Sequence, residues 1–147
     1  MTTLNPSQFI RDQQYGVLST HSLSEPGYPF GSITPYIIND EGDLAILISH
    51  LAEHTHNIEA NPKVSLTIFD PQDSENPSAG ARITCLAQVE KSQDETALRV
   101  DYLQQFPDSE IILGLPGFHF YLLKLTKIRL VAGFGQAKWL EATQLSL

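Results

Sequence analysis

Residues 44–69 read LAILISHLAEHTHNIEANPKVSLTIF, and their pattern decides the architecture. Leu44 to Ile48 form an unbroken aliphatic run, as in a strand buried on both faces. Ser49 stands where a helix must begin, with a hydroxyl able to satisfy one of the first unpaired N–H groups. Leu51, Thr55 and Ile58 recur at helical spacing, whereas Glu53, His56, Asn57 and Glu59 are expected to face water. Asn61-Pro62 ends the helix, because proline disfavours the α conformation of the residue before it. Val64 to Phe69 follow as a second strand. His50, His54 and His56 crowd the helix start, where backbone donors and the positive dipole end also gather. If the protein binds an anionic cofactor, this is the first place for it.

Before this stretch, residues 1–5 are expected to fray and residues 6–14 to form a short helix with Phe9 and Ile10 inward. Residues 15–20 read as a strand, and 21–29 as a loop marked by Pro26-Gly27 and Pro29. Residues 30–38 read as one strand, in which Pro35 signals an edge or a bulge. The polar turn 39–43 makes that strand and the central one an antiparallel hairpin.

After Phe69, residues 70–80 (DPQDSENPSAG) form a loop with no apolar anchor beyond alanine. Residues 81–90 alternate as a strand, with Ile83, Cys85, Ala87 and Val89 on one face. Residues 93–106 read as a helix with Ala97, Val100 (or Leu98), Leu103 and Phe106 on its apolar side. Residues 111–116 are a short apolar connection. Two last strands, 118–125 and 128–134, are joined tightly through Thr126-Lys127, and a weak tail follows Leu140. About six antiparallel strands and few helices favour a small barrel, closed or nearly so, in one domain spanning residues 1–147.

Composition narrows the partners. The 147 residues are 41% hydrophobic, enough for one globular core, and the formal net charge is −8. That charge disfavours nucleic acid and anionic membrane surfaces. The single Cys85 excludes a disulfide framework and a cysteine-rich zinc site. With no leader pattern and no apolar run of about 20 residues, the expected location is the cytoplasm.

Several side chains carry possible chemistry. Ser32, Thr34 and Tyr36 alternate along one strand face, either lining a polar site or meeting solvent. Arg82 and Arg129 interrupt apolar strands, where a guanidinium usually finds an anion, most simply a carboxylate. Cys85 reads as a small buried hydrophobe. Gly133 and Gly135 bracket Phe134, allowing close backbone approach to a flat ligand or another subunit. No Walker loop, dinucleotide fingerprint or Gly-x-Ser-x-Gly occurs.

The order Gly16-Val17-Leu18-Ser19-Thr20, Gly27-Tyr28-Pro29-Phe30-Gly31-Ser32, Ile48-Ser49-His50-Leu51-Ala52, His54-Thr55-His56-Asn57, Asn61-Pro62-Lys63-Val64-Ser65-Leu66 and Gly133-Phe134-Gly135-Gln136-Ala137 resembles the pyridoxamine 5′-phosphate oxidase-like split-barrel superfamily. The nearest likeness is to its haem-utilisation branch. The resemblance implies a mainly β, six-stranded antiparallel split barrel, forming a homodimer with a small-molecule cofactor between subunits. It suggests Ser32, Thr34, Ser49, His54, Thr55, Asn57, Arg129, Phe134, Gly135 and Trp139 as cofactor contacts. Flavin-binding relatives grip the FMN phosphate with a strand Arg and an Arg-Lys pair at the helix start. Here Ser32 takes the first position, and Glu53 and His54 take the pair. Haem relatives carry a C-terminal extension with a ligating histidine, and this sequence has none beyond His119, leaving His54 or His119 as axial candidates. The leading expectation is FMN with flavin-dependent redox activity. Haem binding or degradation is the alternative, and a non-catalytic dimer the third reading. No catalytic residue is assigned.

Overall fold

The computed structural model describes residues 4–71, 80–132 and 136–147. Its framework is one antiparallel sheet: β1 (Tyr15–His21), β2 (Pro29–Pro35), β3 (Ile37–Ile38), β4 (Leu44–Ser49), β5 (Lys63–Phe69), β6 (Ala81–Lys91), β7 (Phe118–Ala132) and β8 (Ala137–Glu141). Neighbours run β2-β1-β5-β6-β7-β4-β3, with β8 also on β7. The first and last strands of that order are consecutive in the chain, so the sheet curls back on itself into a split barrel. Among the described residues four α-helices complete it: α1 (Pro6–Asp12), α2 (Glu53–Ala60), α3 (Thr96–Gln105) and α4 (Glu110–Gly114). None of these helices is long and apolar enough to cross a membrane.

The aliphatic run at β4 behaves as its pattern dictates. Leu44, Ile46 and Ile48 join the barrel core with Leu18, Leu66, Ile68, Ile83 and Leu123. Ala45 and Leu47 face the other way, into a second cluster with Leu98, Tyr102 and Phe120. Thus α3 covers the outer face of β3, β4 and the first half of β7. Cys85 is fully buried, and burial pushes its thiol up to about 12. The β3–β4 hairpin forms as expected, pairing Ile38 with Leu44 across a turn in which Gly42 takes a φ of 83°.

Eight strands among the described residues replace the expected six, for two local reasons. The strand expected over 30–38 breaks at Tyr36, whose N–H bonds Gln14 O and whose hydroxyl donates to Ile10 O. Its two pieces pair with different neighbours, β1 and β4. Conversely, the two strands expected over 118–134 are continuous as β7, and the segment after them pairs back as β8. The register shifts by one at Leu86/Ala87, leaving Thr126 as the extra residue of a bulge, its hydroxyl on Leu86 O. Such a bulge bends the strand. Beyond it β7 exchanges its edge neighbour, from β4 to β8.

The helices differ in detail. In α3 the buried residues are Leu98 and Tyr102, whereas Val100 is 64% exposed and Leu103 is 38% exposed, so its buried stripe is narrower than the sequence pattern suggested. The connection over 111–116 contains α4. Of the ends expected to be loose, residues 1–3 lie outside the described residues; Asn5 caps α1 by accepting from Gln8 N–H, and Leu4, Leu145 and Leu147 pack on the core. Ser146 bonds both Ser7 and Arg11. Most of the 70–80 loop, residues 72–79, lies outside the described residues, as do Gly133, Phe134 and Gly135.

Candidate functional site

The start of α2 is built differently from the sequence expectation. Ser49 remains the last residue of β4, and Ala52 is the N-cap, without a side-chain cap. The Ser49 hydroxyl instead accepts from Leu51 N–H at 3.2 Å. Leu51, expected to pack inward, is 75% exposed. Thr55 is fully buried and donates to the Ser49 carbonyl at 2.5 Å, tying helix to strand. Asn57, expected to face water, has no exposed surface. Its Oδ1 accepts from Leu23 N–H at 2.8 Å and its Nδ2 donates to Thr20 Oγ1 at 3.0 Å. Thr55 and Asn57 therefore position the helix and the 22–28 loop rather than offering groups to a surface ligand.

Two side chains in the first turn of α2 face the candidate site. Glu53 Oε1 accepts from Ser24 Oγ at 2.6 Å, a second tie on the 22–28 loop. His54 Nδ1 lies 3.3 Å from Ser32 Oγ, and its Nε2 is buried without a partner among the described residues. The Ser32 and Thr34 row points inward. Ser32 is half-buried, and Thr34 is buried with its hydroxyl on Pro35 O, so the expectation of a solvent face fails. Nε2 is thus enclosed by the fold rather than open to solvent.

Burial lowers the His54 pKa below the ordinary imidazole value. The unfolded chain then binds this proton more readily than the folded one, so stability rises with pH across this titration. The His54 contribution should be complete above about pH 6.5 and decline as pH falls below it. Urea unfolding from pH 7.5 to 5 should show the decline, and His54→Leu should flatten it. An equal slope in both proteins would assign the effect elsewhere.

The second half of the expected site lies elsewhere. Register places Ile33, Val17, Thr67, Thr84, Arg129 and Trp139 in one row across β2, β1, β5, β6, β7 and β8. This row is on the outer sheet face, opposite the barrel core. Arg129 lies 5.4 Å from the Trp139 ring centroid, and Lys127 lies 5.8 Å from the same ring. Lys127 also meets Glu141 at 3.8 Å. Among the described residues, no carboxylate pairs with Arg129; the expected structural ion pair is replaced by a cation–π contact. Tyr15, Ile33, Phe69 and Trp139 remain 38–77% exposed on this face. A cleft of about 690 Å³ opens between Tyr15, Ile33 and Phe69.

The structure thus brings Ser32, Thr34, Ser49, His54, Thr55 and Asn57 together and leaves Arg129 and Trp139 apart from them. From β2 to β8 there are five inter-strand steps, each of about 4.8 Å along the sheet. His119, the other axial candidate, has Nδ1 3.7 Å from Glu95 Oε2, which also accepts from Phe120 N–H. Sequence reasoning missed two features: the Ser24 tie to Glu53, and His50 Nδ1 lying 3.1 Å from Gly117 O. The Pro116-Gly117 turn signal marked the second.

Known proteins share this architecture. A family model described as CREG, beta-barrel, matches residues 7–146. The chain is 34% identical over 125 residues to the chloroplastic heme oxygenase HOZ of Arabidopsis thaliana, covering 83% of this chain and 37% of HOZ. It is 31% identical over 131 residues to heme oxygenase HutZ of Vibrio cholerae, covering 85% of this chain and 74% of HutZ. It therefore spans little over a third of HOZ. A solved structure of a heme binding protein from Mycobacterium smegmatis superposes with a TM-score of 0.82 at 23% identity, over 95% of this chain and 60% of that one, a likeness of fold.

Proposed function

The chain belongs to the CREG beta-barrel family, with the pyridoxamine 5′-phosphate oxidase-like split-barrel fold, and from that premise we propose that it is a dimeric haem-binding protein serving haem degradation. Similarity to two haem oxygenases favours haem over the flavin that the sequence put first. The observation in this chain that carries the choice is Glu53. A flavin phosphate needs cations at the start of α2; this chain presents a carboxylate there, beside a His54 whose neutral form is favoured. Ser32 is a weak substitute for a guanidinium, and Thr34 is buried.

The donor set suits haem better. Its propionates call for cations and its plane for aromatic and aliphatic walls. Arg129, Lys127 and Trp139 supply such groups on the outer face. When bound, haem would supply iron-centred oxidation chemistry. The chain's own part would be to hold the propionates at Arg129 and Lys127, to stack at Trp139 and to limit access of water.

The same residues support a homodimer. Among the described residues the outer face leaves Tyr15, Ile33, Phe69 and Trp139 exposed, and it is apolar enough to associate. A second copy would also join the α2 start of one chain to the Arg129 side of the other. Sedimentation should give twice the chain mass of 16.3 kDa, and a monomer would remove the composite site. Titration with ferric haem should produce a saturable Soret band, while FMN binds weakly. Tighter binding of FMN than of haem would overturn the assignment.

A further inference from the structure

The turn after β4 holds a histidine prepared for ligation in a way that neither His54 nor His119 is. Ser49 pairs with Phe118 at the end of the β4–β7 ladder, which brings His50 opposite Gly117. The His50 backbone N–H donates to Gly117 O at 2.7 Å, and its ring Nδ1 lies 3.1 Å from the same oxygen. A carbonyl only accepts, so Nδ1 must carry the proton. The neutral ring then has its lone pair on Nε2, and a backbone carbonyl on Nδ1 is the usual way to fix a metal-binding imidazole. His50 itself is exposed.

Gly117 makes this arrangement possible. Its φ is +88°, and a Cβ there would stand 2.1 Å from His50 Nδ1. Exposed aliphatic residues stand near both partners in the sequence. Leu51, next to His50, is 75% exposed; Leu115, two residues before Gly117, is 46% exposed. One turn earlier, Ile111 is 76% exposed, and α4 buries none of its residues. Exposed aliphatic residues thus flank His50 and its Gly117 partner along the chain, and such side chains suit the face of a porphyrin.

We propose that His50 of one copy would hold the haem iron through Nε2, with Leu51, Ile111 and Leu115 against the porphyrin and the Arg129 side of the second copy meeting the propionates. This rests on the haem reading above. Coordination forms one dative bond from the imidazole lone pair and displaces a weak ligand such as water; no electron is transferred.

The test uses the full chain and ferric haem, read by the Soret band and electron paramagnetic resonance. His50→Ala should lose the histidine-ligated signature and weaken binding by roughly tenfold or more. Added imidazole should restore the signature, while His54→Ala and His119→Ala keep it. Unchanged spectra in His50→Ala, or their loss in His119→Ala alone, would overturn the ligand assignment and leave haem binding intact. If the native chain binds no haem saturably, the function and the ligand fall together. Independently, nitrogen NMR of the free protein should show His50 in the Nδ1–H tautomer; the Nε2–H tautomer would remove the structural basis. Because His50 is exposed, thermal unfolding of His50→Ala should match that of the native chain.

Discussion

Asn57→Ala should lower the free energy of unfolding by about 2–4 kcal/mol. Its amide satisfies Leu23 N–H and Thr20 Oγ1 at once, with no exposed surface of its own. Alanine leaves the Leu23 N–H without its acceptor and opens a gap against Thr20, itself 3% exposed. An unmade bond to a buried group costs about 1–3 kcal/mol, and the void adds to it. In urea the midpoint should fall with the slope unchanged. The variant should also loosen the 22–28 loop, so hydrogen exchange at Leu23 should accelerate more than at Leu66 in the barrel core. A loss below about 0.5 kcal/mol, the range of ordinary surface changes, would mean that water or a rearranged loop replaces the amide.

The largest change in ligand preference is expected from Glu53→Arg. Its carboxylate stands at the start of α2, held by Ser24 Oγ at 2.6 Å. Reversing the charge removes a repulsion for phosphate and adds a forked donor. The gain in FMN affinity should be about 1.5–3 kcal/mol, the scale of one well-made charged hydrogen bond. That corresponds to roughly ten- to a hundredfold. Riboflavin, which lacks the phosphate, should bind both proteins alike, and salt should erode the FMN gain. Losing the exposed Ser24 bond should cost little in stability. Flavin fluorescence titrations measure all of this. If the native chain already prefers FMN to riboflavin by several orders of magnitude, the phosphate is held by groups other than those at the start of α2.

Much of the fold was legible because its signals are local. The aliphatic run at β4 has no solvent-facing position, so a strand covered on both sides was its simplest reading. The β3–β4 turn follows from Asn39, whose side chain accepts from both Glu41 and Asp43 N–H. Antiparallel pairing and the barrel class follow from short alternating strands and turn residues, and the family from motifs in order along the chain.

The tertiary structure decided what depends on partners distant in sequence. Tyr36 breaks its strand because Ile10 and Gln14 wait for it across the barrel end. Asn57 read as a solvent-facing helix residue, since nothing nearby reveals Thr20 and Leu23 as its partners. Arg129 was expected to need a carboxylate, yet strand register set Trp139 beside it instead. His50 looked like one of three equivalent histidines until the β4–β7 ladder placed Gly117 O against its ring. Periodicity and turn chemistry act over a few residues and can be read from the sequence. Hydrogen-bond partners and the face a side chain shares are set by register across strands many residues apart, and only the folded chain supplies that.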